Sequence, residues 1–200
     1  MHPILRVVCV GAGQVVSLPC FTKQGTMTII ITRSGRQIDL WDPRPEDIHI
    51  SDIAHSLSMQ CRFVGHVSEF YSVAEHSVRV SFAVPDGLGL HALLHDASEA
   101  YLGDVSTPLK SIMPKYKALE EKMMHTIYAA FDLDYKLWTH QVKQADLEIT
   151  HAECRDLMPS GFCYGVENVK AHPSLIVPWS QDEARRVFLA RFSALRRGEE

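Results

Sequence analysis

Apolar positions fall first in two short β-prone runs of this chain and later take up a helical period. Residues 28–32 and 37–40 are short β-prone runs on either side of Arg33-Ser34-Gly35-Arg36, a spacing that predicts a small hairpin closed by a Ser-Gly turn. Pro43 and Pro45 end regular structure after it. From Ser51 the apolar residues recur every three or four positions. Ser51 reads as the cap of a helix reaching about Cys61, with Ile53, Ala54 and Leu57 on one face. Ser72-Val73-Ala74-Glu75 is a capping box and predicts a helix to about Val84 that carries His76 in an early turn. A single helix is predicted over 88–102, stopped by Gly103. Thr107-Pro108 reads as a cap followed by proline at the first helical position. Further helices are predicted over 114–131, about 138–157, and from the Ser180-Gln181-Asp182-Glu183 cap to Arg196. The pattern predicts an all-α bundle with a minor N-terminal hairpin.

Length and composition narrow the class. Two hundred residues, 46% hydrophobic and 22% charged, suit one compact domain over 27–200, preceded by an extension over 1–26. That prefix is apolar to Val16 but carries Gly11 and Gly13 and is too short to span a bilayer, so no membrane partner is expected. A net charge of −4 with scattered basic residues argues against nucleic acid and leaves room for a small anionic substrate. Five cysteines without a C-x-x-C pair argue against a disulfide framework and a zinc ribbon; buried free thiols in a reducing cytoplasm are the expectation.

The residues with most chemistry are His76, the pair His95-Asp96, and Asp146 on a later helix. Two imidazoles and two carboxylates can hold one divalent cation and leave positions open for water and substrate. Mixed nitrogen and oxygen donors suit Zn, Co, Mn or Fe better than Mg, which can arrive with substrate phosphates. Glu99 follows Asp96 by three and His95 by four residues, placing a carboxylate on the same face, where it can handle protons. Lys110 reads equally as a point charge for phosphate and as a solvated surface lysine. His66 reads either as facing substrate or as a loop histidine held by backbone. His91, four before His95, is a minor alternative as a zinc ligand, and His125 and His151 read as ordinary surface or core histidines.

The combination of His76, His95-Asp96 and Asp146 resembles the H…HD…D pattern of the HD-domain phosphohydrolases. Val73-Ala74-Glu75-His76-Ser77 and the string from His95 to Lys110 are similar to the bacterial 5′-deoxynucleotidases. Ser34-Gly35-Arg36, the run from Asp52 to Ser58, Arg62-Phe63, Gly65-His66 and the run from Tyr71 to Ser77 are closer to a phage-associated branch that includes deoxyadenosine triphosphate triphosphohydrolases. The resemblance spans roughly 28–196. It implies an HD-type helical bundle in which one divalent metal is held by His76, His95, Asp96 and Asp146. It also implies attack of water on the 5′ phosphoester of a deoxynucleotide and a homo-oligomer in the cytoplasm. Glu99 matches the catalytic acid or base. Asp104, in the Gly-Asp-x-x-Thr-Pro segment that includes Thr107, matches a residue positioning water or the leaving group. Arg62 matches a substrate-contacting arginine, with His66, Thr107 and Lys110 as further substrate contacts; Phe63 stands where the deoxynucleotidases carry tryptophan.

The expected activity is a triphosphohydrolase releasing deoxynucleoside and triphosphate, with a 5′-deoxynucleotidase acting on monophosphates as the alternative. An HD-scaffold di-iron oxygenase and a non-catalytic nucleotide sensor are rival classes. The oxygenase would need extra metal ligands, for which no ordered set is visible. The sensor would not need both Glu99 and Asp104.

Overall fold

A computed structural model of the chain describes residues 28–135, 140–161, 163 and 165–199. The expected extension over 1–26 lies outside them, as does Trp138, where the sequence pattern starts the penultimate long helix. Strands β1 (Ile29–Ile31) and β2 (Gln37–Asp39) pair antiparallel with Ile30 opposite Ile38, forming the hairpin expected around the Ser-Gly turn. The regular structure after them is helical: α1 (Ile50–Met59), α2 (Val73–Phe82), α3 (Gly89–Leu93), α4 (Glu99–Leu102), α5 (Thr107–Ser111), α6 (Pro114–Ala130), α7 (His140–Leu157) and α8 (Gln181–Arg196). The fold is a helical bundle of the HD type with a two-stranded hairpin at its N-terminal side. Among the described residues no helix is long and apolar enough to cross a membrane.

The main core is formed by the inward faces of α1, α2, α6 and α8, with Ile53, Leu57, Val78, Leu93, Leu94, Met123, Ile127 and Phe188 closed from solvent. A second cluster joins α2 to α7 through Val80, Ala92, Val142, Ala145 and Ile149. The second cluster matters for the site, because it fixes α7 against α2 with Asp146 on the seam.

Caps follow the sequence in part. Ser72 Oγ accepts from the Glu75 N–H, as a capping box requires, but the Glu75 carboxylate turns away to Arg79 and the Trp179 N–H. Ser180 caps α8 through the Glu183 N–H. Helix α1 begins one residue before Ser51, with His49 as its uncapped N-cap, and Ser106 rather than Thr107 stands before α5.

Two expectations are corrected. The predicted helix over 88–102 is broken: residues 94–98 form tight turns between α3 and α4, with i to i+3 bonds from Ala97 N–H to Leu94 O and from Glu99 N–H to Asp96 O. The cause is local. His95 Nδ1 lies 2.7 Å from Ala92 O, so the side chain takes a carbonyl that the helix ladder would use, and the His95 N–H is left 3.5 Å from the same oxygen. The expectation of free thiols also fails for one pair, because Cys154, buried on α7, is disulfide-bonded to Cys163 in the loop that follows. The sequence offers no C-x-x-C, and the pairing depends on the chain turning back after α7. Cys61 is free, and Cys9 and Cys20 lie outside the described residues.

The hairpin packs on the bundle through Ile38, Ile30 and Leu40, and one carboxylate ties its turn down. Asp52 on α1 accepts from Thr32 Oγ1 at 2.8 Å, from the Ser34 N–H at 2.9 Å and from Ser34 Oγ at 2.6 Å. Burial pushes the Asp52 carboxyl up, but the bonds from Ser34 and Thr32 outweigh it and hold it below its usual value of 3.8. We expect Asp52→Ala to destabilise the fold by about 2 kcal/mol, a loss of roughly 4–8 °C in Tm by circular dichroism. A depressed carboxylate stabilises above its ordinary pKa and loses that contribution as pH falls. The gap between wild type and variant should therefore narrow below about pH 4. An unchanged Tm at pH 7 would refute the tether.

Candidate metal centre

Three separate elements converge where α2, the 94–98 turns and α7 meet. His76 lies in the first full turn of α2, its backbone N–H bonded to the Ser72 carbonyl, so the cap fixes its direction. His95 and Asp96 come from the broken segment, and Asp146 from α7. His76 Nε2 lies 3.3 Å from His95 Nε2 and 3.2 Å from Asp146 Oδ1. Ligand atoms of His76, His95 and Asp146 all fall within 4.8 Å of one another. Asp96 Oδ2 joins them at 3.1 Å from His95 Nε2 and 3.7 Å from His76 Nε2. Bonds of about 2.1 Å to a shared ion put neighbouring ligand atoms roughly 3.0–3.4 Å apart; the distances of 3.1, 3.2 and 3.3 Å fall in that range, and those of 3.7 and 3.9 Å lie slightly outside it.

The hydrogen bonds behind the imidazoles decide what faces forward. His95 Nδ1 points at the Ala92 carbonyl, which can only accept. His76 Nδ1 points at Glu153 Oε1 at 2.6 Å, also an acceptor. With a cation in the cluster, both rings would carry their proton on Nδ1 and turn the Nε2 lone pair towards it. Two lone pairs 3.3 Å apart repel unless a proton or a cation lies between them, so the donor set fits a metal ion. The His76 imidazole is pushed down by burial and by Arg62, yet the Glu153 charge and the bonds to Asp146 and Glu153 win, raising its pKa to about 9. Asp96 and Asp146 are each pushed up by burial but held well below the usual carboxylate range, mainly by His95 for Asp96 and by the His76 bond for Asp146.

The remaining sequence candidates divide. Arg62, nearly closed from solvent, donates Nε to Glu153 Oε2 at 3.0 Å and an amine to Thr150 Oγ1 at 3.3 Å, with another amine 3.6 Å from Asp96 Oδ2. It stands at the centre. Glu99 is buried, with Oε1 3.2 Å from Lys110 Nζ and Oε2 without a partner. Burial first, then the charges of Asp96 and Asp104, push its carboxyl well above the usual value. Asp104 is raised by burial, and its N–H bonds the side chain of Gln60, whose amide also reaches the Glu99 carbonyl. Lys110 is neither solvated nor free, since it is also 2.6 Å from Glu120 Oε1. His66, at the end of a 3-10 turn over Phe63–Gly65, and Thr107, at the start of α5, are exposed. Neither is linked by a hydrogen bond or ion pair to the cluster among the described residues. His91 turns its Nε2 to the Asp134 carbonyl, His125 stacks on Tyr135, and His151 bonds the Val169 carbonyl.

Glu153 is the residue that reading the sequence missed. It is fully buried and accepts from Tyr71 Oη at 2.9 Å as well as from His76 and Arg62. Its signal is present in the spacing: seven residues after Asp146 is two helical turns on, hence the same face of α7.

Among known proteins, no family model matches the chain. YfdR of Escherichia coli strain K12, described as uncharacterized, is 41% identical over 172 residues, covering 84% of this chain and 96% of that protein. The chain belongs to the YfdR family. An uncharacterized protein of Rhodobacter capsulatus is 44% identical over 110 residues, half of this chain and 56% of the other. More distantly, a 5′-deoxynucleotidase of Pasteurella multocida is 28% identical over 160 residues, 60% of this chain and 81% of that enzyme. The YfdR-family chain is thus distantly homologous, over part of its length, to proteins named for phosphate removal from deoxynucleotides.

Proposed function

We propose that this protein is a metal-dependent phosphohydrolase of nucleotides, and that its substrates are deoxynucleoside 5′-monophosphates. The observation that carries the reading is the convergence of the His76 and His95 Nε2 atoms at 3.3 Å beside Asp146, with Glu99 buried close by. His76, His95, Asp96 and Asp146 would hold the cation, which when bound supplies Lewis-acid polarisation of the phosphate and a lowered pKa for the attacking water.

The chain's own groups account for the rest. Four carboxylates, Asp96, Asp104, Asp146 and Glu153, bear on the buried guanidinium of Arg62, an imbalance that favours a bound cation. Arg62, fixed by Glu153 and Thr150, presents its remaining amine edge on the Asp96 side, where it would orient a phosphate. Glu99, whose carboxyl is pushed up by burial and its acidic neighbours, would give a proton to the leaving 5′ oxygen from the unpartnered Oε2. Lys110 would act through Glu99, holding Oε1, rather than on phosphate.

Phosphate number follows from charge. Arg62, Lys110 and Lys143, the cations bonded into this cluster among the described residues, are each already paired with carboxylates. A monoester adds little charge for them to balance, whereas a triphosphate would need cations of its own. The name of the Pasteurella multocida relative supports the same choice. The monophosphate thus takes precedence over the triphosphate expected from sequence.

The test is phosphate and triphosphate release from each dNMP and dNTP, with Mn²⁺, Co²⁺, Zn²⁺ or Mg²⁺ supplied in turn. We expect phosphate from dNMPs with a transition metal and loss of activity on chelation. Triphosphate release from dNTPs alone would reverse the substrate choice, and no release from any pair would overturn the hydrolase.

A further inference from the structure

Glu153 touches neither the space where substrate would lie nor the cluster's forward face, yet it contacts two groups that do. Its Oε1 accepts from His76 Nδ1 and from Tyr71 Oη, and its Oε2 accepts from Arg62 Nε. The residue is closed from solvent, so no water can substitute for a missing partner. Tyr71 is also fully buried, and its hydroxyl reaches the same oxygen.

We propose that Glu153 is the positioning residue of the metal centre: its carboxylate fixes His76 as the Nδ1–H tautomer and so aims Nε2 at the cation. The inference rests on the cation site of the proposed function and assigns the part of α7 that serves it. His95 needs no such residue, because a backbone carbonyl does the same work at Ala92. The asymmetry has a structural cause. His95 sits in a turn whose tightened backbone brings Ala92 O within reach, whereas His76 is inside a regular helix whose carbonyls are engaged along its axis. A ring on α2 must therefore find its acceptor on another element, and α7 supplies it.

Exchange of Glu153 for glutamine isolates the effect. Glutamine keeps the shape but offers one acceptor oxygen and one donor amide where three donors now converge. A buried guanidinium has the strongest claim on the remaining oxygen, since charge-assisted bonds are about twice as strong as neutral ones. The amide is then left facing His76 Nδ1, which must accept from it, and the ring proton moves to Nε2, pointing into the cation site.

The experiment compares wild type with Glu153→Gln by Co²⁺ titration, thermal unfolding without metal, and ¹⁵N chemical shifts of the histidine rings. Expected is a loss of roughly 10- to 100-fold in Co²⁺ affinity, with His76 changing to the Nε2–H form and His95 unchanged as an internal control. Cobalt affinity within about threefold of wild type, or His76 still protonated on Nδ1 in the variant, would overturn the proposal. Should the variant fail to fold, the ring shifts of cobalt-free and Zn²⁺-loaded wild type decide the matter. An Nδ1 proton on His76 in the Zn²⁺ form supports the assignment, and binding through Nδ1 refutes it. Wild type that takes up no metal would sink the metal-dependent function itself, a result separable from failure of the Glu153 role.

Discussion

Asp96→Ala is expected to lose bound cation and turnover together, with activity on a dNMP falling roughly 10³-fold or more, about 4 kcal/mol of transition-state stabilisation. The residue lies within 3.1 Å of one imidazole nitrogen and 3.7 Å of the other, and within reach of Arg62. Its removal takes one negative ligand from the cation and one partner from the arginine. The fold should survive, because the side chain keeps about a fifth of its surface exposed and carries none of the apolar core. Metal analysis of the purified variant beside a phosphate-release assay checks both halves. Near-normal turnover with a full metal load would remove Asp96 from the ligand set.

Glu99→Gln should separate chemistry from cation binding. The variant is expected to retain metal and to lose about 10²- to 10⁴-fold in kcat, the range in which a positioned acid contributes. A protonated carboxylic acid and an amide have nearly the same shape, so Lys110 still finds an oxygen acceptor while the transferable proton is gone. The pH profile carries the sign. A general acid with a raised pKa is lost as it deprotonates, so wild-type kcat should fall as pH rises through that raised value. The variant's residual rate should lack that fall. Wild-type kcat and profile in the Glu99→Gln enzyme would take Glu99 out of the reaction.

Most of the fold was legible because hairpin, caps and helical stripes are local signals: Ser72 and Ser180 each accept from the N–H three residues on, and the two β-prone runs pair across the Ser-Gly turn. The break at 94–98 was not, because apolar spacing at Leu90, Leu93, Leu94 and Ala97 continues through it. The competing bond from His95 to Ala92 O is a tertiary consequence of where the ring must point. The candidate ligands His76, His95, Asp96 and Asp146 were readable from a short motif and its spacing. Glu153 was not singled out, since a lone glutamate on a polar helix carries no mark of burial until α2 is packed on it. Lys110 shows the opposite error: its charge was visible, but its use by Glu99 and Glu120 depends on α5 meeting α6 and α4. The Cys154–Cys163 pair likewise waits on the turn after α7.

Gln60, at the C-terminal end of α1, donates to the Glu99 carbonyl and accepts from the Asp104 N–H with a single amide. The proposed proton donor is thereby anchored to α1, while the proposed cation ligands belong to α2, α7 and the turns between α3 and α4. The molecule is divided into two workshops with one shared wall. Lineages descending from such a scaffold can retune which leaving group is served by altering the α1 side, and keep the ion-holding side untouched.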